Sequence, residues 1–270
     1  MRIQLLSDLH LETQPGFVPE PAPDADVLVL AGDIGSYQRG SALLAQGDAD
    51  FGLGRFARWP VPVLFVPGNH EYDALDFDAA HQRLADTCQR LGLVWLERQT
   101  VVLRGVRFVG TTLWSDFDAL AMQQAEPAAQ TQAREKAFRA ANHYLRTTGT
   151  TRGGVPFLAE NMREQALVCQ QWLRQALAQP HDGPTVAITH FAPSLRSHDP
   201  RYGLTPGTAG FCNALDALLP QADAWLHGHL HCPVDYTAGR CRVVANPLGY
   251  ARKGEQAGFV PTRLVQVSGS

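Results

Sequence analysis

Seven side chains of metal-binding type fall in five short clusters of this 270-residue chain: Asp8 with His10, Asp33, Asn69, His190, and His229 with His231. A set of Asp, His and Asn suits hard or borderline divalent ions such as Mn, Fe, Zn or Mg, and no thiolate accompanies it. Asp8 and His10 stand two apart, as do His229 and His231. In extended backbone i and i+2 point to one side, so each pair can address a common centre. The two oxygens of Asp33 can bridge two cations. Glycine precedes Asp33, Asn69 and His229, where it permits tight turns and close backbone approach. His70 and Glu71 follow Asn69 directly; Glu71 is suited to orienting the site or capping a turn. No Gly-x-Ser-x-Gly elbow and no Walker A loop occurs, so a serine hydrolase or a P-loop ATPase has no support.

Each cluster ends an apolar run. The runs at 3–6, 27–31, 61–66, 186–189 and 224–226 read as buried strands. In open α/β sheets, sites form in the crevice beyond the carboxyl ends of the strands, so clusters far apart in sequence can converge. Three-to-four spacing of Phe77, Ala80, Leu84, Cys88 and Leu91, and of Leu158, Met162, Ala166, Cys169, Leu173 and Leu177, predicts two amphipathic helices. Residues 101–103 with 106–109, and 234–236 with 241–244, read as hairpins. The fold class is therefore α/β with mixed (α+β) sheet content, and neither a simple Rossmann sheet nor a barrel. Residues 115–156 break the pattern. Glu126-Pro127 opens a helix with Ala133, Ala137, Ala141 and Tyr144 on one stripe, read as a helical insertion or lid within a single domain spanning 1–270.

The 23 basic and 26 acidic side chains leave a net charge of -3, so nothing global recommends a polyanion partner, and nucleic acid is not expected. With 45% hydrophobic and 18% charged residues, the chain can bury a sizeable core. Its first apolar stretch is too short for a signal peptide or a membrane span, which points to a cytoplasmic protein without membrane attachment. Cysteines 88, 169, 212, 232 and 241 form no CxxC pair; they read as core or near-core thiols of a reducing compartment. His227 reads as a packing histidine; the alternative, since it continues the alternation of His229 and His231, is a place behind the ligands. Trp114, Phe191 and Tyr250 read as core aromatics adjoining the site loops, and Arg39, Arg196 and Arg201 as solvated surface cations.

In order, Asp8-x-His10, Gly32-Asp33, Gly68-Asn69-His70-Glu71, His190 and Gly228-His229-x-His231 resemble the calcineurin-like metallophosphoesterase superfamily over nearly the whole chain. The resemblance implies a four-layer αββα sandwich of two facing mixed sheets flanked by helices. It also implies two divalent metal ions, one held by Asp8, His10, Asp33 and His231, the other by Asp33, Asn69, His190 and His229. Asp33 and His70 would be catalytic, Asp33 as the bridge and His70 as proton donor or phosphate contact, with a metal-bridging hydroxide attacking phosphorus in line. Protein phosphatases of the superfamily carry Gly-Asp-x-Val-Asp-Arg-Gly and an Arg before Gly-Asn-His-Glu. Here those arginine positions are Tyr37 and Pro67. The stretches 189–194 and 246–250 resemble the bacterial stand-alone branch that includes class III cyclic nucleotide phosphodiesterases. The expected function is therefore a phosphodiesterase acting on a small phosphoester such as a nucleotide. A broad phosphomonoesterase would share every ligand, a nuclease is disfavoured by the acidic balance, and a non-catalytic scaffold would be expected to have lost ligands. The oligomeric state is not legible.

Overall fold

In a computed structural model, which describes residues 1–268, the apolar runs become strands whose two faces are both covered. In chain order the strands are β1 (Arg2–Leu6), β2 (Val27–Ala31), β3 (Val63–Val66), β4 (Val94–Trp95), β5 (Gln99–Leu103), β6 (Val106–Thr111), β7 (Thr151–Arg152), β8 (Val155–Pro156), β9 (Thr185–Thr189), β10 (Ala224–His227), β11 (Val234–Ala238), β12 (Cys241–Ala245) and β13 (Leu264–Gln266). The α-helices are α1 (Ala42–Ala45), α2 (Phe77–Leu91), α3 (Pro127–Thr148) and α4 (Ala159–Leu177).

One sheet runs β13-β1-β2-β3-β4, parallel except for β13; the other runs β11-β12-β10-β9-β6-β5, parallel except for its edge strands β11 and β5. The two predicted hairpins, β5-β6 and β11-β12, supply those antiparallel edges. Alternation along β1 and β2 sends Ile3, Leu5, Val27 and Val29 inward, where they meet Phe108, Val186, Ile188 and Leu226 of the second sheet. Leu6, Leu28 and Leu30 face outward to the helix layer. The architecture is the expected αββα sandwich of two mixed sheets flanked by helices. β4, β7, β8 and β13 were not predicted; with two or three residues each, they are too short to show periodicity.

α2 buries Phe77, Ala80, Leu84 and Cys88, starts on the Asp76 side chain, which accepts from the amides of Asp78 and Ala79, and stops at Gly92 with φ 73°. α4 buries the predicted stripe from Met162 to Leu177 against β6 and its surroundings. α3 buries only Ala137 and Asn142 and leans on α4 and on the 206–210 turn. Cys88, Cys169, Cys212 and Cys241 are buried and Cys232 is half-buried, as core and near-core thiols should be. No α-helix among the described residues is long and apolar enough to cross a membrane.

Candidate metal centre

The parallel strands β1, β2 and β3 of one sheet and β9 and β10 of the other deliver their following loops to one end of the sandwich. All seven predicted ligands and His70 meet there. They do so by a different local geometry from the pleat alternation that their spacing suggested. β1 stops at Leu6 and β10 at His227, and the ligands lie beyond, on loop backbone in the left-handed region: φ is 53° at Asp8, 46° at His10, 54° at Asp33, 73° at His229 and 48° at His231. Such conformations cost non-glycine residues of order 1–3 kcal/mol each, and they cluster where side chains must be aimed. The preceding glycines serve the close approach that was expected. A Cβ at Gly68 would collide with the Asp33 carboxylate, and one at Gly228 with that of Asp8.

Two groups of donor atoms result. Asp8, His10, Asp33 and His231 each bring one ligand atom within 4.8 Å of all the others, and so do Asp33, His190 and His229. Asn69 Oδ1 joins the second group, 3.2 Å from His190 Nε2. The protonation pattern tells what they could hold. His10 Nδ1 lies 3.0 Å from Glu12 Oε1, and His231 Nδ1 lies 2.7 Å from Glu255 Oε2, so each Nδ1–H donates outward. Their Nε2 atoms are then lone-pair acceptors, and they face each other at 2.9 Å. His190 donates from Nδ1 to the carbonyl of Ala31 at 2.8 Å, and its Nε2 faces Asp33 Oδ2 at 3.1 Å and His229 Nδ1 at 3.2 Å. Asp8 Oδ2 and Asp33 Oδ2 are buried without a hydrogen-bond partner. Acceptors packed against acceptors in a buried site are costly unless positive charge lies among them, so the donor set fits divalent cations.

Without cations, protons take their place among these acceptors. Burial pulls the His190 imidazole down, but the negative charge of Asp33 outweighs it and lifts it to about 9. Burial likewise acts against His231, and Asp8 and Glu255 lift it to about 9. Burial pushes Asp8 up, yet His231 and His190 bring it down to about 2. His229 goes the other way, well below the usual imidazole range, through burial and the neighbouring His190.

Around the ligands stands a ring of acids, of which only Glu71 was anticipated. Its buried carboxylate accepts from the amides of Gly68 at 2.7 Å, Ile34 at 2.6 Å and Asp33 at 3.1 Å, so it ties the loop after β2 to the loop after β3. Burial and the charge of Asp33 raise it to about 7. Glu12, Glu255 and Asp73 were missed. Glu12 continues the two-residue spacing of Asp8 and His10, and Asp73 lies one turn after His70; those are signals that could have been read. Glu255 carries none. His227 is a packing histidine, bonded to Ser197 Oγ at 3.0 Å and pushed down to about 4 by burial.

A cavity of about 540 Å³ opens onto the centre. Its floor includes Asp33, Asn69, His70 and His229, and one wall is apolar, with Phe117, Ala141, Leu145, Met162, Phe191 and Phe211. His70 Nδ1 lies 2.6 Å from Asp73 Oδ2, and its amide donates to Asp33 Oδ1 at 2.9 Å. Trp114 and Phe191 are buried, whereas Tyr250 stacks on His10 with centroids 4.2 Å apart. Arg196 lies over Tyr236 at the surface. Arg201 is also exposed, as expected, and at the edge of the cavity it makes a two-pronged pair with Asp199.

Fold and donor set define a metallophosphoesterase. Residues 1–233 match the family model of calcineurin-like phosphoesterases, and the chain belongs to that family, whose members use two divalent metals. In fold it is similar to the phosphopantetheinyl hydrolase of Mycobacterium tuberculosis, with a TM-score of 0.71 and 21% identity over 98% of this chain and 95% of that one. It is also similar to a dimetal phosphatase from Danio rerio, with a TM-score of 0.51 and 14% identity over 97% of this chain and 89% of that one. No curated protein matches the chain.

Proposed function

We propose that this protein is a phosphodiesterase whose two cations are held by Asp8, His10, Asp33 and His231, and by Asp33, Asn69, His190 and His229, with Asp33 shared. When bound, the cations supply activation of water and neutralisation of charge on the phosphoryl oxygens. The chain's own groups do the rest. His70, held by Asp73 through Nδ1, presents Nε2 to the cavity and gives a proton to the departing ester oxygen. The apolar wall receives an ester arm and excludes water from it. We read residues 115–156 as an insertion within a single domain that supplies part of this wall, through Phe117, Ala141 and Leu145, and so sets substrate choice.

One observation favours a diester over a monoester. The basic side chains lining the cavity, Arg201 and Lys253, are both engaged by carboxylates, Arg201 by Asp199 at 2.6 Å and Lys253 by Glu255 at 3.9 Å. A monoester dianion brings one more negative charge than a diester monoanion, and neither of these cations is left free to meet it. With Mn, kcat/KM for bis-p-nitrophenyl phosphate should exceed that for p-nitrophenyl phosphate by ~10-fold or more, about 1.4 kcal/mol in transition-state stabilisation. Chelation should abolish both activities, and Asp33→Asn should lower metal content and turnover together. The reverse order of esters would make the protein a phosphomonoesterase. Full turnover after metal removal, verified by elemental analysis, would end the two-metal reading. A phosphopantetheinyl diester belongs in the same panel, because the fold neighbour from Mycobacterium tuberculosis is named for that group.

A further inference from the structure

Tyr144 differs from its neighbours on α3. It is 50% exposed, and its phenol reaches the floor of the cavity, where the hydroxyl lies 3.3 Å from His70 Nε2. With Asp73 at 2.6 Å from Nδ1, the His70 ring carries a polar partner on each nitrogen, one from its own loop and one from a helix 74 residues away in sequence. Its third neighbour is the edge of His10, with centroids 5.0 Å apart.

The helix that brings Tyr144 is held by contacts made away from the metal ligands. Asn142 is buried and accepts at Oδ1 from the amide of Ala159, the first residue of α4, at 2.8 Å. Four residues after Tyr144, the carbonyl of Thr148 accepts from the amide of Ala74, itself four residues after His70, at 2.9 Å. Thr150 Oγ1 then donates to the carbonyl of Tyr72 at 3.1 Å. Ala74 adopts φ 60° in this seam. The loop bearing His70 and the helix bearing Tyr144 are thus joined on the C-terminal side of both residues, and the hydroxyl's distance from the imidazole is set by backbone.

We propose that Tyr144 is a positioning residue for His70: its hydroxyl holds the imidazole with Nε2 turned into the cavity and yields that nitrogen to the departing oxygen when substrate enters. The proposal rests on the reading of His70 as proton donor. A ring restrained at both nitrogens has already lost its rotation before the reaction, which favours proton delivery in the transition state without strengthening ground-state binding. The predicted signature is a loss in kcat at unchanged KM, confined to poor leaving groups.

The test compares phenyl and p-nitrophenyl esters of whichever class, methyl phosphodiesters or monoesters, the Mn-loaded enzyme hydrolyses. Tyr144→Phe keeps the ring and removes the hydroxyl. It should lower kcat about tenfold on the phenyl ester and no more than about twofold on the p-nitrophenyl ester, with KM unchanged on both and metal content at the wild-type level. Introduced into His70→Ala, the same change should cost nothing further, because residues that act through one another are not additive. An equal loss on both esters, or a loss that persists without His70, would mean that the hydroxyl acts on substrate directly and would overturn the proposal. If His70→Ala itself loses equally on both esters, the proton-donor reading fails and takes the role of Tyr144 with it. A leaving-group-dependent loss in His70→Ala with none in Tyr144→Phe overturns the role of Tyr144 alone.

Discussion

Three of the four proposed ligand imidazoles share one device. His10, His190 and His231 each donate Nδ1–H to an oxygen outside the ligand set, of Glu12, Ala31 and Glu255 respectively, and so present a bare Nε2 to the centre. The carboxylate partners differ from the carbonyl in one respect: they are negative, and they make the imidazole a stronger base as well as orienting it. Glu255 has a second duty, since the same Oε2 accepts from the amide of Tyr250 at 2.8 Å and holds the ring that stacks on His10. Glu255→Gln should therefore weaken metal binding ~10- to 100-fold, with activity recovered at raised Mn concentration. A titration of activity against Mn measures it; an unchanged midpoint would mean that Glu255 serves the loop and not the histidine. This residue also marks where reading by motif stops. The candidate set from Asp8 to His231 could be picked out because each member follows an apolar run and carries a recognisable neighbour, whereas Glu255 sits in a 3-10 turn whose spacing to His231 has no local periodicity.

At the scale of elements, what the sequence shows depends on the length of the element and on whether both its faces are buried. β1, β2 and β9 are five residues long, buried nearly throughout and built round an apolar run, so their positions could be read within a residue or two. β13 is three residues with one buried side chain, and it closes the first sheet only because Arg2, Ile3 and Gln4 pair with it. The aim of the candidate ligands was misread for a similar reason: spacing of two is shared by a pleat and by a loop in which alternate residues are left-handed, and only tertiary contact decides between them. For α3 the alanine stripe correctly marked the helix, but it did not show that Tyr144 faces the site. Because α3 contributes few core residues, a change on its cavity side should leave the fold intact. Ala140 is exposed and lines the cavity, so Ala140→Phe should fill space that an ester arm uses. The expected result is a fall of about tenfold in kcat/KM for bis-p-nitrophenyl phosphate and little change for methyl p-nitrophenyl phosphate, since selectivity between arms rests on differential contact. Equal changes on the two would mean that the arm lies elsewhere.

At the scale of the whole molecule, the centre lies across the seam between the sheets. Asp8, His10, Asp33 and Asn69 follow strands of the first sheet, and His190, His229 and His231 follow strands of the second. Cations held by both groups would tie the two layers together, so their binding should stabilise the fold as a unit, by about 2.7 kcal/mol at a hundredfold excess over Kd. Protons compete for the same nitrogens, and this gives opposite pH dependences. In the chelated protein His190 and His231 sit at about 9 against the usual 6.5. A raised imidazole contributes stability that is complete below its unfolded value and is lost as pH climbs through its folded value, so the contribution fades between about pH 6.5 and 9. Glu71, raised to about 7, adds a loss in the same direction at the lower end of that window, and His70, which burial pulls down but Asp73 and Asp33 lift above its usual range, adds another that cations do not remove. His227, lowered to about 4, and His229, also lowered, act below pH 6.5, where acidification destabilises, and leave the alkaline limb untouched. In the metal-loaded protein the imidazoles are neutral ligands, and rising pH removes their proton competitor and tightens binding. Thermal melts in chelator should therefore shift downward from pH 6.5 to 9, by an amount on the order of a few kcal/mol in stability, while melts with saturating Mn fall clearly less or rise. Parallel curves with and without metal would show that cations and protons do not share these histidines, and the ligand assignment of His190 and His231 would fall.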